Sequence, residues 1–285
     1  MLETATQQAR VRELEGVEGI TANDRYYFGY QYGLGVQHIV PYLRSKGVPF
    51  AGKHICEIGC GEGGVLAALA DQGVSYALGI DIRTEATDRA EKIFRALFPS
   101  RFEPGPRDVR WDFRIHDVTR QATPPEWREQ FDFVTLRDVM EHLDDTQGSL
   151  QHVLDFLRPG GYLYVVFPPY YSPYGGHQHA LANLWGKLPF LHFLPDALFQ
   201  PLIRSGRSID IEEVTRLRGI RLTIGKFRKA VDAVGLELLD EELYLLRPVF
   251  KLKFGLPALR VNVLRTIPGV RELASLEAAY LLRKK

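Results

Sequence analysis

The sequence predicts an α/β domain, a mostly parallel sheet with helices on both faces. Two patterns carry that expectation. From about residue 53, short β-branched runs alternate with helical segments, which implies parallel strands joined by right-handed crossovers. The run 162–167 is apolar almost throughout, as a strand covered on both faces is.

The elements follow in order. Residues 53–58 read as a buried strand that runs into a glycine-rich turn, and 65–73 as a helix closed by Gly73. A second strand over 75–81 leads to a helix over 84–98 that Pro99 stops, then a turn-rich loop over 101–108. Third and fourth strands cover 109–118 and 131–138. A helix over 149–157 ends at Pro159-Gly160-Gly161, ahead of the fifth strand at 162–167. After Pro168 the regularity breaks into an irregular insert, 169–222. A helix over 226–235, a sixth strand over 236–246, a second insert over 248–275 and a last strand from Ala278 complete the chain. This divides the sequence into a leader of residues 1–50, a core of 51–168, a cap insert of 169–222 and a core-completing segment of 223–285.

Composition narrows the partners. Among 285 residues, 36 Lys and Arg stand against 35 Asp and Glu, a net charge of +1. That balance disfavours nucleic acid, whose phosphate backbone calls for clustered excess cation. Two cysteines exclude a disulfide scaffold and suit a reducing compartment. The first sixteen residues are charged and polar, unlike a signal peptide. The longest stretch free of Asp, Glu, Lys and Arg, 159–186, carries four prolines and cannot be one spanning helix. The expectation is a soluble, cytoplasmic protein.

The sharpest local feature is Glu57-Ile58-Gly59-Cys60-Gly61-Glu62-Gly63-Gly64. Its glycines fit either the dinucleotide pattern G-x-G-x-x-G or a tighter G-x-G-x-G. Charge separates the two. A pyrophosphate needs positive potential from free N–H groups, and Glu57 and Glu62 oppose it. The same carboxylates suit a ligand with a cationic end and no phosphate, such as S-adenosylmethionine. Asp81, ending the second strand, is placed to accept both hydroxyls of a ribose. Asp117, after the third strand, is placed for an adenine amine, with Val118 offering a backbone N–H. A lone Asp after a strand is ordinarily a cap or turn residue. Three acidic residues after three successive strands, at the sheet edge where α/β folds bind ligands, favour the ligand reading.

With Asp138-Val139-Met140-Glu141-His142-Leu143 after strand four and Leu157-Arg158-Pro159-Gly160-Gly161 before strand five, the chain resembles the class I, Rossmann-like S-adenosylmethionine-dependent methyltransferases. The resemblance spans roughly residues 50–168 and the final strands. It implies seven strands in the order 3-2-1-4-5-7-6, with strand seven antiparallel, capped by the leader and the two inserts. It also implies a cofactor site of Glu57, Gly59, Cys60, Gly61, Gly63, Asp81, Ile82, Asp117, Val118 and Arg137. Glu57 and Gly59 would lie by the methionine amino group and Arg137 by its carboxylate.

The acceptor side is expected after strands four and five. Asp138, Glu141 and His142 are spaced i, i+3, i+4, which puts them on one side of a helical turn; the bland reading is a capping box with Asp138 as N-cap. His142, His177 and His179 are candidate bases, with Glu141 beside them, because imidazole titrates near neutrality. Asp138, Glu141, His142 and His177 also form a candidate divalent-metal set. Small-RNA end-methylating relatives carry a similar Glu-x-x-Glu-His with a distant His, although here Asp138 replaces the first Glu. Gly175-Gly176 lets the chain turn sharply towards a ligand. The aromatic run 26–32 suits a docking patch or a lid over the cofactor. The insert 248–275, with Lys251, Lys253, Arg260, Arg265 and Arg271, suits a membrane surface, the acceptor cleft or a dimer contact. Cys56 and Cys60 read as small buried residues.

The expected function is methyl transfer from S-adenosylmethionine to a small molecule, with a hydroxyl favoured as acceptor. Two other readings stand beside it. One is a cofactor-binding regulatory or assembly protein without transferase activity, the other a nicotinamide-dependent oxidoreductase.

Overall fold

The computed structural model describes residues 4–98 and 109–285. The expected helix stop at Pro99 and the loop over 101–108 lie outside the described residues. The leader is helical: α1 (Ala5–Glu13), α2 (Ala22–Leu34), a π-helical turn at Gly35–Ile39, and α3 (Val40–Ser45). A capping box starts α2. The Thr21 hydroxyl accepts from the Asp24 backbone N–H, and the Asp24 carboxylate accepts from the Thr21 N–H at 2.8 Å.

The body follows as β1 (His54–Ile58), α4 (Gly64–Ala70), β2 (Tyr76–Asp81), α5 (Thr84–Leu97), β3 (Arg110–Ile115), β4 (Phe131–Arg137), α6 (Thr146–Phe156) and β5 (Leu157–Phe167). The insert 169–222 holds α7 (Asp196–Ile203) and α8 (Ser208–Ile220). Then come α9 (Ile224–Ala233), β6 (Glu237–Leu246), α10 (Val249–Phe254), β7 (Leu259–Arg260), α11 (Pro268–Ala274) and β8 (Glu277–Arg283).

The sheet order is β3-β2-β1-β4-β5-β8-β6-β7. The first five strands are parallel, and β8 runs antiparallel to both β5 and β6. The expected order is present, with β6 and β8 as its sixth and seventh strands. Strand count is the correction. An eighth, two-residue strand, β7, pairs antiparallel with the edge of β6 and comes from the insert 248–275.

Two apolar layers cover the sheet. On one face the leader, α4 and α5 bury Phe28, Tyr32, Leu66, Ile93 and Phe94; on the other, α6 and α9 bury Leu150, Val153, Phe227 and Val231. The cap has a small core of its own, Leu181, Leu191, Phe199, Ile203 and Val214. Leader and body meet with no room for side chains. A Cβ on Gly64 would lie 2.5 Å from Gln31 Cβ and 2.7 Å from the Phe28 carbonyl oxygen, and one on Gly35 would lie 2.4 Å from Ala68 Cβ. Tyr32 and Arg10 add hydrogen bonds to Asp71. The aromatic run is therefore divided, with Phe28, Tyr30 and Tyr32 buried and Tyr26 and Tyr27 exposed. Among the described residues no helix is long and apolar enough to cross a membrane.

Candidate active site

The C-terminal ends of β1, β2 and β4 converge on the glycine loop. Gly59, Gly61 and Gly63 all have positive φ, at 71°, 52° and 74°, a region that side chains with a Cβ disfavour. At Gly59 a Cβ would also meet Val139 Cγ2 at 2.3 Å. Four of the loop's N–H groups are engaged inside the protein. Gly59 and Cys60 donate to the Ile80 carbonyl, Gly63 donates to the Cys60 carbonyl, and Gly61 donates to Asp81 Oδ2 at 3.1 Å. A pyrophosphate cradle needs those donors free. Those four donors are spent within the loop, which leaves fewer of them to face a pyrophosphate.

Glu57 lies at the centre, buried, with Oε2 lacking any hydrogen-bond partner. Burial pushes its pKa up to about 8, against the nearby Arg137 charge and a bond from the Leu66 N–H, both of which lower it. Arg137 is largely buried and bonded to Asp138. Asp81 accepts from Gly61 through Oδ2, and through Oδ1 from the Arg83 backbone N–H at 3.0 Å and Nε at 3.3 Å. Beside it Ile82 is 68% exposed, an apolar surface at the edge of the sheet. Asp117 forms a turn, accepting from the Thr119 N–H and hydroxyl through Oδ1. Burial acts to raise its pKa, and the Thr119 bonds outweigh that and hold it below the ordinary value. Val118 is buried, with its carbonyl 2.6 Å from His152 Nδ1. Cys56 and Cys60 are both buried free thiols.

The turn after β4 departs from the helical spacing. Asp138 has φ +55°, and Met140–His142 is a single 3-10 turn whose N-cap is Val139, with no side-chain cap. The expected capping box is absent. The Asp138 carboxylate instead lies between Arg137 and Arg247, and Arg247 also bonds Glu277 at 2.8 Å. Burial would raise the Asp138 pKa, but the two guanidinium groups hold it far below the usual range.

Glu141, His142 and His177 do come together. Glu141 Oε1 is 3.7 Å from Nε2 of each histidine, and neither Glu141 oxygen has a hydrogen-bond partner. One ligand atom from each of the three residues lies within 4.8 Å of the others, a set that can hold a metal ion. Asp138, turned to its arginines, is not in that set. Burial pushes the Glu141 pKa up to about 7 and the His177 pKa down to about 3. His179 is exposed, its ring 5.7 Å from that of His177. Gly175 and Gly176 serve packing. A Cβ on Gly175 would strike the Pro169 carbonyl at 2.0 Å, and one on Gly176 the His192 side chain at 2.5 Å.

Sequence reasoning missed two residues on α8. The Glu213 carboxylate bonds His142 Nδ1, and Arg216 donates to the His142 carbonyl and to Glu213. Glu213 lies 71 residues from His142 in sequence, on a helix that no motif ties to the turn after β4, so no sequence signal marks it.

A family model described as a methyltransferase domain matches residues 28–198, more than half of the chain. The chain belongs to the S-adenosylmethionine-dependent methyltransferase family. Among curated proteins it is similar to ubiquinone biosynthesis O-methyltransferases of Paracidovorax citrulli (31% identity over 117 residues, 41% of this chain and 44% of the relative) and Marinobacter nauticus (30% over 118 residues, 41% and 45%). The chain thus spans less than half the length of the curated relatives it matches. Solved structures of S-adenosylmethionine-dependent methyltransferases from Mesorhizobium loti (TM-score 0.51, 18% identity, 86% of this chain and 96% of that one) and Methanosarcina mazei (0.52, 16%, 86% and 97%) share the fold. The methyltransferase cofactor fits the residues present. The buried carboxyl of Glu57, with one oxygen unpartnered, suits a cationic group.

Proposed function

We propose that this methyltransferase modifies a hydroxyl group of a small-molecule acceptor. The observation carrying the reading is the meeting of Glu141, His142 and His177, with both Nε2 atoms 3.7 Å from one unpartnered carboxylate oxygen. A hydroxyl must lose its proton as its oxygen takes the methyl group, and neutral imidazole suits that task. That the relatives are ubiquinone biosynthesis O-methyltransferases supports oxygen as the acceptor atom.

When bound, S-adenosylmethionine supplies a methyl carbon already activated by its sulfonium. Glu57 receives the methionine ammonium and Arg137 the carboxylate. Asp81 takes the ribose hydroxyls once the exposed Arg83 side chain gives way, while its backbone donors stay. Ile82 covers the adenine, and Asp117 and the Val118 backbone meet its edge. His142 Nε2 accepts the hydroxyl proton, and His177 with Glu141 orients the acceptor. The leader and the inserts 169–222 and 248–275 wall the acceptor side.

A second reading has Glu141, His142 and His177 hold a divalent cation that binds the acceptor oxygens. Two histidines, one carboxylate and open positions suit such an ion. One assay tests both. The chain is incubated with methyl-labelled cofactor and a panel of catechols and phenols, and the label is located by mass spectrometry. Label on oxygen is expected, and label only on carbon or nitrogen overturns O-methylation. Loss of turnover in chelator with recovery on added Mg²⁺ or Mn²⁺ selects the metal reading; equal turnover selects His142 as base.

A further inference from the structure

We infer that Glu213, on a helix of the cap, is the positioning residue that fixes which nitrogen of His142 faces the acceptor. The inference rests on the O-methylation reading for its consequence, but its geometry is independent of it. A neutral imidazole has one N–H donor and one acceptor nitrogen, and the partner of one nitrogen decides the state of the other. An ionised carboxylate only accepts, so Glu213 requires the hydrogen on Nδ1. Nε2 lies 3.7 Å from Glu141 Oε1, beyond hydrogen-bond distance, so the ring's bonded carboxylate is Glu213 and Nε2 carries the lone pair. The same nitrogen is the one needed to accept a proton or to bind a cation.

The contact is built on both sides. Val214 and Leu217, flanking Glu213 on α8, are buried, and Val214 belongs to the separate core of the cap. Arg216, three residues on from Glu213, holds its carboxylate at 3.0 Å and also donates to the His142 carbonyl. One helix therefore grips both the ring and the backbone of the catalytic turn. The cap has its own core and meets this turn through polar contacts, so docking of α8 and readiness of His142 are one event.

The isosteric variant Glu213→Gln tests this. Arg216 keeps the amide oxygen, so the amide NH₂ faces Nδ1 and donates to it, which moves the ring hydrogen to Nε2. The measurement is imidazole ¹⁵N NMR of the full chain with S-adenosylhomocysteine and chelator, at an alkaline pH where titration shows the His142 ring neutral, since burial acts to lower its pKa but the bond to Glu213 and the Glu141 charge outweigh that and raise it. The expected result is an unprotonated Nε2 on His142 in the natural chain and its loss in Glu213→Gln. Glu213→Asp should restore it in part, and Glu212→Gln on the exposed side of the same helix should change nothing. A natural chain with its hydrogen on Nε2, or one tautomer common to the natural chain and Glu213→Gln, overturns the inference. Melting curves establish that each variant is folded; should Glu213→Gln not fold, Glu213→Ala is read instead, with a mixture of both tautomers expected. Failure of S-adenosylhomocysteine to raise the melting temperature would strike the methyltransferase reading alone and leave the tautomer result standing.

Discussion

Arg247 donates to Asp138 Oδ1 at 2.6 Å, joining the end of β6 to the turn after β4 across 109 residues of sequence. With Arg137 on the other oxygen, the carboxylate balances two largely buried guanidinium groups beside the cofactor loop. Asp138→Asn keeps a residue type that tolerates positive φ but removes the charge. Breaking a buried pair in this way costs about 3 kcal/mol. The expected melting temperature is lower by roughly 5–10 °C, and weaker cofactor binding should accompany it as Arg137 loses its anchor. Calorimetric melting and a titration with S-adenosylhomocysteine measure both.

Glu57 predicts a proton linkage. Its folded pKa, raised to about 8, lies above its unfolded value. Between the two, the native state holds a proton that the unfolded state has lost, so stability of the ligand-free protein falls as pH rises through that window. A ligand ammonium beside Glu57 favours the ionised carboxylate. Binding of S-adenosylhomocysteine near pH 7 should therefore release a proton, seen as a dependence of the binding enthalpy on buffer ionisation. Glu57→Gln should abolish that dependence and weaken binding.

His177 has φ +54°, so replacement by Ala would mix backbone strain with loss of the ring. Asn suits that conformation better. His177→Asn should lower turnover at least about tenfold with affinity for the cofactor nearly unchanged. Unchanged turnover on the acceptor identified by methyl labelling would remove His177 from the site.

Gly64→Ala drives a methyl group into Gln31 and the Phe28 carbonyl. Overpacking of this kind costs about 1–3 kcal/mol. The expected loss is roughly 3–10 °C in melting temperature, with faster proteolysis of the leader as α2 lifts from α4. An unchanged melting curve would show that the leader yields without cost.

The sheet was legible because its signals are local. Strand runs, the glycine-rich turn and the acidic residues closing the strands each declare themselves within a few residues. The short strand β7 was not, since an edge pair of Leu259–Arg260 has no periodicity to read. The turn after β4 misled for a physical reason. Its i, i+3, i+4 spacing is that of a helix, yet the segment makes only one 3-10 turn, because Asp138 is drawn into a left-handed conformation between two arginines.

The amino-acid sequence alone determined the parallel α/β core, and it put forward the glycine loop as the cofactor site and Glu141, His142, His177 and His179 as acceptor-side candidates. Tertiary structure alone decided which of those groups meet. It put Glu141 between two histidines, assigned Asp138 to Arg137 and Arg247, turned Gly175 and Gly176 to packing, and brought Glu213 of the cap to His142. Spacing along a chain reports neighbours within one element. The partners of a buried charge are chosen by whichever distant element packs against it, because an ion taken from water must be compensated by what the fold brings within a few ångströms.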